Sequence, residues 1–120
     1  MSEPQENDFS KIALKFPQLT GSDRRALRAA GHHLNPMVMV GRLGVTDAVI
    51  EATDEALQTH ELIKVSVSGD APDSRKDAPQ ILAEATGSLV VQIIGRTCLL
   101  YRPRREESPE NKEETGGENG

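Results

Sequence analysis

Aromatic side chains make up only 2% of the 120-residue sequence, and tryptophan is absent. The three aromatic residues are Phe9, Phe16 and Tyr101. Recognition of RNA by stacking bases on several aromatic side chains, as in an RRM, is therefore excluded. The core has to be built from Val, Ile, Leu, Met and Ala, and the length predicts one small domain.

Cysteine is equally scarce, because Cys98 is the only one. It has no partner for an intramolecular disulfide, and no CxxC or HxxxH spacing occurs, so we expect no metal site. No G-x-S-x-G elbow marks a nucleophile, and His33 and His60 fit helix ends. We therefore expect no catalytic site, no cofactor and no small-molecule substrate, and we place Cys98 in the core.

Long apolar runs are also missing, and the N-terminus lacks the basic-then-apolar order of a secretion signal. A lone cysteine suits a reducing compartment. These features predict a cytoplasmic protein without a membrane partner.

The net charge of −5 is unevenly distributed. Residues 103–120 carry a net −3 and residues 1–18 a net −1, which leaves −1 for the middle of the chain. A nearly neutral domain can still present a basic face, so the global charge does not exclude nucleic acid.

Composition divides the chain into three parts. Residues 1–18 form an N-terminal extension that we expect to be partly disordered, although Phe9, Ile12 and Phe16 suit a short helix or contact with the domain. Residues 19–103 form the folded domain. Residues 104–120 form an acidic tail that we expect to be disordered, because few apolar groups offset its ordering entropy.

Hydrophobic periodicity predicts the order α-β-α-β-α-β-β within the domain. Pro79 is expected either in the first turn of the third helix or at a kink inside it. The predicted elements are a helix over 21–33, a strand over 37–40, a helix from about residue 46, a strand over 62–67, a helix up to 86, and strands over 89–94 and 97–102 joined by a tight turn at 95–96.

A Gly-x-x-Gly loop separates the first strand from the second helix, as Gly41, Arg42, Leu43 and Gly44. The glycines allow close backbone approach, and the following helix, which Thr46 can cap, directs N–H groups and its positive dipole end to the same place. Such a place attracts phosphate. Taken alone, however, the pattern is more often a plain strand-to-helix turn.

Other arginines allow two interpretations. Arg24, Arg25 and Arg28 lie on the outward face of the first helix, either as a solvated face or as phosphate contacts. Arg96 and Arg102, near the ends of the last strand, either keep the domain soluble or extend a basic patch. Tyr101 either stacks on a base or closes the core.

Three ordered motifs resemble the CRM (chloroplast RNA splicing and ribosome maturation) domain family, whose bacterial members are YhbY-type proteins. The first is His33-Leu34-Asn35-Pro36 with the Gly41–Gly44 loop, the second is His60-Glu61-Leu62-Ile63-Lys64-Val65, and the third is Val91-Gln92-Ile93-Ile94-Gly95-Arg96-Thr97 with Leu100-Tyr101-Arg102-Pro103. The resemblance covers about residues 19–103.

The resemblance implies a compact two-layer domain with a mixed four-stranded sheet, similar to the C-terminal domain of translation initiation factor three. It also implies a monomeric RNA-binding protein, without catalytic activity, that associates with precursors of the large ribosomal subunit. The RNA-binding residues expected from the resemblance and the charges are Gly41, Arg42, Leu43, Gly44, Thr46, Arg24, Arg25, Arg28, Arg96 and Arg102. RNA is expected to approach the loop from the side of the first helix, avoiding the acidic face of the second.

Two other classes stay open. A protein-interaction module would use the same basic face on an acidic partner, and a small enzyme would need a polar pocket that no motif indicates.

For the loop, we expect that Arg42→Glu combined with Gly44→Asp weakens RNA binding and leaves folding intact.

Overall fold

The computed structural model of the protein describes residues 9–104. The expectations for residues 1–8 and 105–120, including most of the acidic tail, lie outside the described residues. The elements are α1 (Ser10–Lys15), α2 (Gly21–Gly31), β1 (Pro36–Val40), α3 (Asp47–His60), β2 (Leu62–Val67), α4 (Asp77–Thr86), β3 (Leu89–Ile94) and β4 (Thr97–Tyr101). The predicted order is present, with the short helix α1 added before it.

The strands form one mixed sheet in the order β1-β2-β4-β3. Strands β1 and β2 are parallel, whereas β4 runs antiparallel to both β2 and β3. The mixed four-stranded sheet expected from the resemblance is therefore confirmed. Strands β1 and β3 form its two edges.

Helices cover both faces of this sheet, so the domain has three layers instead of the expected two. On one face, α3 and α4 pack with Val40, Ile63, Val65 and Leu100 in one hydrophobic cluster. On the other face, α1 and α2 pack with Leu62, Val91, Leu99 and Tyr101 in a second cluster. The central strands β2 and β4 carry apolar side chains on both faces, as strands buried on both sides do.

Helix α2 begins with a capping box. The Thr20 hydroxyl accepts the Asp23 N–H at 3.0 Å, and the Asp23 carboxylate accepts the Thr20 N–H at 2.9 Å. Lys15, at the end of α1, pairs with the same carboxylate at 2.9 Å. These contacts satisfy N–H groups that a helix start leaves open, and they connect α1 to α2.

Helix α4 begins at Asp77, which places Pro79 in its first turn. A proline there costs no intrahelical hydrogen bond, so the helix is not interrupted at this point. Gly87 ends the helix in the left-handed conformation, and the last helical residue is Thr86, as predicted. Gly95 and Arg96 then join β3 to β4 as the predicted two-residue connection.

Between residues 9 and 104, no helix is both long enough and apolar enough to cross a lipid bilayer.

Candidate nucleic-acid interface

The Gly41–Gly44 segment forms a tight turn directly after β1. The Gly44 N–H donates to the Gly41 carbonyl at 2.9 Å, and the Thr46 N–H donates to the Gly44 carbonyl at 3.0 Å. Arg42 and Leu43 lie at the tip, where Leu43 is 84% exposed. A large apolar side chain and a cation are thus presented to the solvent together.

Gly44 is essential to the shape of this turn. Its φ of +82° lies in the region that side chains with a Cβ rarely adopt, and a Cβ there would lie 2.8 Å from Asp73 Oδ2. Gly41 differs, because a Cβ on it would meet nothing within 4 Å. The expectation that Gly44→Asp leaves folding intact is therefore contradicted by the geometry, and Gly41 is the glycine that tolerates a side chain.

An acidic residue lies at the base of the loop, where phosphate-binding N–H groups were expected. The Asp73 carboxylate accepts the Val45 N–H at 3.0 Å, and the Thr46 hydroxyl accepts the Val49 N–H at 3.2 Å. Of the backbone N–H groups in the segment 42–48, those of Arg42, Leu43, Asp47 and Ala48 have no partner among the described residues 9–104. The loop tip and the first turn of α3 therefore supply the donors that remain for an anion.

The topology brings three loops to one end of the strands, which is a different border of the sheet from the edge strands β1 and β3. Strands β1 and β2 run parallel and end there, and β4 begins there because it runs antiparallel to β2. The Gly41–Gly44 loop, the segment 68–76 and the hairpin turn at 95–96 consequently share this edge. We call it the loop edge, and its basic residues are Arg42, Arg75, Lys76 and Arg96.

Arg75 and Lys76 are candidates that the sequence interpretation missed. Arg75 Nη1 donates to the Gly95 carbonyl at 3.3 Å, which connects the segment before α4 to the hairpin turn. Both side chains are exposed. These two residues could have been found from the topology alone. When β1 and β2 run parallel and β4 runs antiparallel to them, the segments after β1 and β2 and the turn before β4 all lie at the same end of the strands.

The arginines of α2 do not join the loop edge. Arg24 Nη1 donates to the Val90 carbonyl at 3.3 Å, and Val90 lies near the start of β3, whereas the loop edge lies beyond Ile94 at the other end of that strand. Strands β3 and β1 are also the two opposite edges of the sheet. Three strand spacings, about 14 Å, separate those edges. Arg25 is exposed, and Arg28 lies one turn beyond Arg24 on the same helix. The structure therefore gives two separate basic surfaces where one was expected.

Arg102 is a structural residue, which corrects its expected place on the basic surface. It is only 2% exposed, and its guanidinium donates to Asp54 Oδ1 at 2.6 Å and to the Thr86 carbonyl at 2.8 Å. Asp54 lies on α3, and Thr86 is the last residue of α4. Arg102 thus ties the end of β4 to both helices and has no free face for RNA.

The sheet face beside α2 is partly bare. Helix α2 contacts β2, β3 and β4 but leaves Met39 of β1 63% exposed and Ile94 of β3 56% exposed. A small cleft of about 40 Å³ between the end of α2 and the sheet is lined by residues that include His32, Lys64 and Gln92. No acidic residue lines this cleft.

The side chains of Cys98 and Tyr101, which could react or stack elsewhere, are buried in the core. Burial raises the pKa of the Cys98 thiol to about 12, so the thiol stays protonated at neutral pH. Tyr101 is fully buried between the rings of Phe9 and Phe16, which decides between its two interpretations in favour of core closure. Within residues 9–104, no group of three or more His, Cys, Asp or Glu side chains could hold a metal ion.

The structure so far defines a small mixed α/β domain with a basic loop edge beside a glycine turn. The sequence profile of the CRS1 / YhbY (CRM) domain matches residues 19–102. The chain therefore belongs to the CRS1/YhbY (CRM) domain family, as its three motifs indicated.

Relatives in several organisms share this domain. "Probable RNA-binding protein YqeI" of Bacillus subtilis is 43% identical over 95 residues, which cover 79% of this chain and 95% of the relative. A chloroplast and mitochondrial CRM-domain containing factor, CFM3 of Zea mays, is 33% identical over 92 residues, which cover 77% of this chain but only 11% of the plant protein.

A solved structure shares the fold. The solution structure of SAV1595 from Staphylococcus aureus is 36% identical in sequence and has a TM-score of 0.64, covering 76% of this chain and 95% of that one. This similarity supports the mixed α/β fold.

Proposed function

We propose that this protein binds RNA and acts, without catalysing a reaction, in the assembly or maturation of the large ribosomal subunit. The proposal treats it as a cytoplasmic monomer whose partner is ribosomal RNA in precursor particles. RNA binding is supported by the names of its relatives, such as YqeI and the "RNA-binding protein" of Haemophilus influenzae, which is 38% identical over 88 residues. The ribosomal role is taken from the resemblance to the bacterial members of the CRM family.

The observation that carries the proposal is the composition of the loop tip. Arg42 adds a full charge beside two N–H groups, of Arg42 and Leu43, that have no partner among the described residues. A guanidinium and backbone N–H groups together suit a phosphate, which accepts several charge-assisted hydrogen bonds. Arg75, Lys76 and Arg96 extend the positive charge along the same edge.

The expected site residues take different roles in this proposal. Arg42, Leu43 and Arg96 contact RNA, Gly41 allows the backbone to approach it, and Gly44 and Thr46 hold the turn and the helix start. Arg24, Arg25 and Arg28 form a second basic surface that reaches RNA only if the RNA also extends to the β3 edge. Arg102 is omitted because its guanidinium is buried.

A charge reversal at the loop tip tests the proposal. Arg42→Glu should lower the affinity for large-subunit ribosomal RNA about tenfold or more, because it replaces a charge-assisted contact by repulsion. Lys11→Glu is the matched control, since Lys11 is exposed on α1 and lies outside the family match. In a sucrose gradient, tagged wild-type protein and Lys11→Glu should sediment with precursor particles of the large subunit. Unchanged sedimentation of Arg42→Glu would contradict the role of the loop.

A second variant separates backbone approach from charge. Gly41→Ala adds a Cβ where the fold leaves open space, so its stability should stay close to that of the wild type. Its affinity for RNA should fall if the backbone at Gly41 touches the ligand. Binding to isolated ribosomal proteins, with no salt-dependent binding to ribosomal RNA, would favour the protein-interaction module instead.

A further inference from the structure

A cleft beside the Gly41–Gly44 loop carries a second set of donors for an anion. Its volume is about 130 Å³, several times the roughly 30 Å³ that one water occupies in the liquid. The lining residues that matter here are Ser68, Gly69, Asp73, Ser74, Arg75 and Arg96. We call it the arginine cleft.

The two arginines have guanidinium N–H groups available. Arg75 gives one bond, from Nη1 to the Gly95 carbonyl, out of the five N–H groups that a guanidinium carries. Among residues 9–104, neither Arg75 nor Arg96 takes part in an ion pair. Their positive charge is therefore not neutralised by a paired carboxylate in the described part of the chain.

Two hydroxyl groups add neutral donors. The Ser68 hydroxyl accepts the Asp70 N–H at 3.1 Å, and the Ser74 hydroxyl accepts the Asp77 N–H at 2.8 Å. Each oxygen therefore acts as an acceptor within the chain while its proton remains free for another acceptor. Guanidinium and hydroxyl donors in one cleft are the groups that bind phosphate oxygens.

Gly69 makes room for Arg96. A Cβ on Gly69 would overlap the guanidinium of Arg96, so the arginine lies directly over the glycine backbone. The position of this cation thus depends on a residue without a side chain.

The cleft and the loop share a wall. Asp73 lines the cleft, and its carboxylate also accepts the Val45 N–H and lies against Gly44. A chain of linked phosphates passing the loop tip would consequently meet the cleft next. Asp73 is the one acid among the lining residues, and one of its oxygens is directed to Val45.

We propose that the arginine cleft binds a second phosphodiester of the RNA strand whose neighbouring phosphate lies on the Gly41–Gly44 loop. This inference rests on the proposed RNA-binding function and names further residues for it. Arg75 and Arg96 hold the phosphate oxygens, Ser68 and Ser74 donate hydroxyl protons to them, and Gly69 positions Arg96.

The test compares RNA affinities by fluorescence anisotropy, with a labelled single-stranded RNA of about 12 nucleotides, a length within the site sizes of single-strand binders. Arg75→Gln and Arg96→Gln should each weaken binding about tenfold, the loss of one charge-assisted contact. Each should also reduce the slope of log affinity against log salt by about 0.7, the value for one phosphate contact on a single strand. Gly69→Ala should weaken binding without changing the charge, because it displaces Arg96.

Lys11→Gln is the control for the loss of one positive charge, and its affinity and salt slope should match those of the wild type. If Arg75→Gln and Arg96→Gln behave like this control while Arg42→Glu weakens binding, the cleft assignment is wrong and the proposed function stands. If the wild type binds neither this RNA nor ribosomal RNA, both the function and the cleft assignment fail.

A titration with inorganic phosphate, monitored by amide NMR, distinguishes two ligands of the cleft, an RNA phosphodiester and a free phosphate. Shifts of the Gly69 and Ser74 amides in the wild type that disappear in the Arg75→Gln, Arg96→Gln double variant would support an anion site in the cleft. If phosphate produces these shifts while the arginine variants keep full RNA affinity, the cleft takes a free phosphate, and its assignment to RNA is overturned.

Discussion

The carboxylate of Asp73 accepts the backbone N–H of Val45 at 3.0 Å, immediately after the Gly41–Gly44 turn. A negative charge therefore lies at the base of the loop that is proposed to bind phosphate. It holds the turn against the segment before α4, and it also opposes an incoming anion. These two effects can be separated, because an asparagine keeps the acceptor and removes the charge.

Asp73→Asn should strengthen RNA binding about threefold at low salt, since exposed charge interactions of this kind are worth up to about 1 kcal/mol. The gain should shrink as salt is added. Asp70→Asn, which removes an exposed charge from the same segment, serves as the control in the anisotropy measurement. Weaker RNA binding by a folded Asp73→Asn would show instead that the charge itself supports the bound conformation of the loop.

The two glycines of the turn should respond differently to alanine. Gly44→Ala should lower the free energy of unfolding by roughly 1–3 kcal/mol, because it combines a left-handed φ with a close approach to Asp73 and Pro72. Gly41→Ala should change it by less than about 1 kcal/mol, since no atom lies near the added Cβ. Urea denaturation of the two variants provides the measurement, and equal losses would contradict the described turn.

Removal of the Arg102 side chain should affect folding and leave the affinity of the folded protein for RNA unchanged. Arg102→Gln should lower the free energy of unfolding by about 2 kcal/mol, because the buried Thr86 carbonyl loses a charged donor. Arg104→Gln is the comparison, since Arg104 is exposed and donates to the Gln58 and Thr59 carbonyls at the end of α3. A folded Arg102→Gln with weakened RNA binding would return Arg102 to the interface.

Most of the fold could be predicted from the sequence because its signals are local. The capping residues Thr20 and Thr46 mark two helix starts, Gly87 marks a helix end, and the alternation of apolar residues marks β2. Layering was harder to predict. The apolar residues on the second face of the sheet are covered by α1 and α2, and a packing partner so distant in sequence leaves no local pattern.

The candidate site could be predicted only in part, for a similar reason. The turn at Gly41–Gly44 is a local motif, whereas the placement of arginines depends on the strand order β1-β2-β4-β3. That order and the strand directions place Arg24 beside the start of β3, away from the loop edge, and Arg75 beside Gly95 at the loop edge. The burial of Arg102 depends on Asp54, 48 residues earlier in the chain, so spacing along the sequence gives no sign of the pair.

The ion pair between Lys15 and Asp23 should make stability depend on acidic pH. The Lys15 ammonium, first, and the Thr20 N–H, next, hold the pKa of Asp23 below its usual value of 3.8. Because the folded pKa is lowered, the contribution of this carboxylate to stability is fully present above the ordinary value of 3.8. It is lost as the pH falls below 3.8 and through the folded pKa. Urea midpoints between about pH 2 and pH 6 should therefore fall less steeply towards acid in Lys15→Met than in the wild type or in Lys11→Met. Identical profiles for the two lysine variants would show that α1 does not hold this carboxylate.

The hydroxyl of Tyr101 is buried without a hydrogen-bond partner among the described residues. Burial, with smaller contributions from the charges of Glu61 and Asp23, raises its pKa from 10.0 to about 12. The unfolded chain therefore ionises this phenol first, and stability should be lost as the pH rises from about 10 to about 12.

Tyr101→Phe should remove this alkaline loss. At neutral pH it should leave the free energy of unfolding unchanged or raise it by up to about 1 kcal/mol, because an unpaired polar group leaves the core. Tyr101 is the single tyrosine of the chain, so the ultraviolet absorbance of tyrosinate reports its ionisation directly. The midpoint should lie near 12 in the folded protein and near 10 in urea. A midpoint near 10 without denaturant would mean that α1 leaves the phenol open to water, and the packing of Phe9 and Phe16 on Tyr101 would then be wrong.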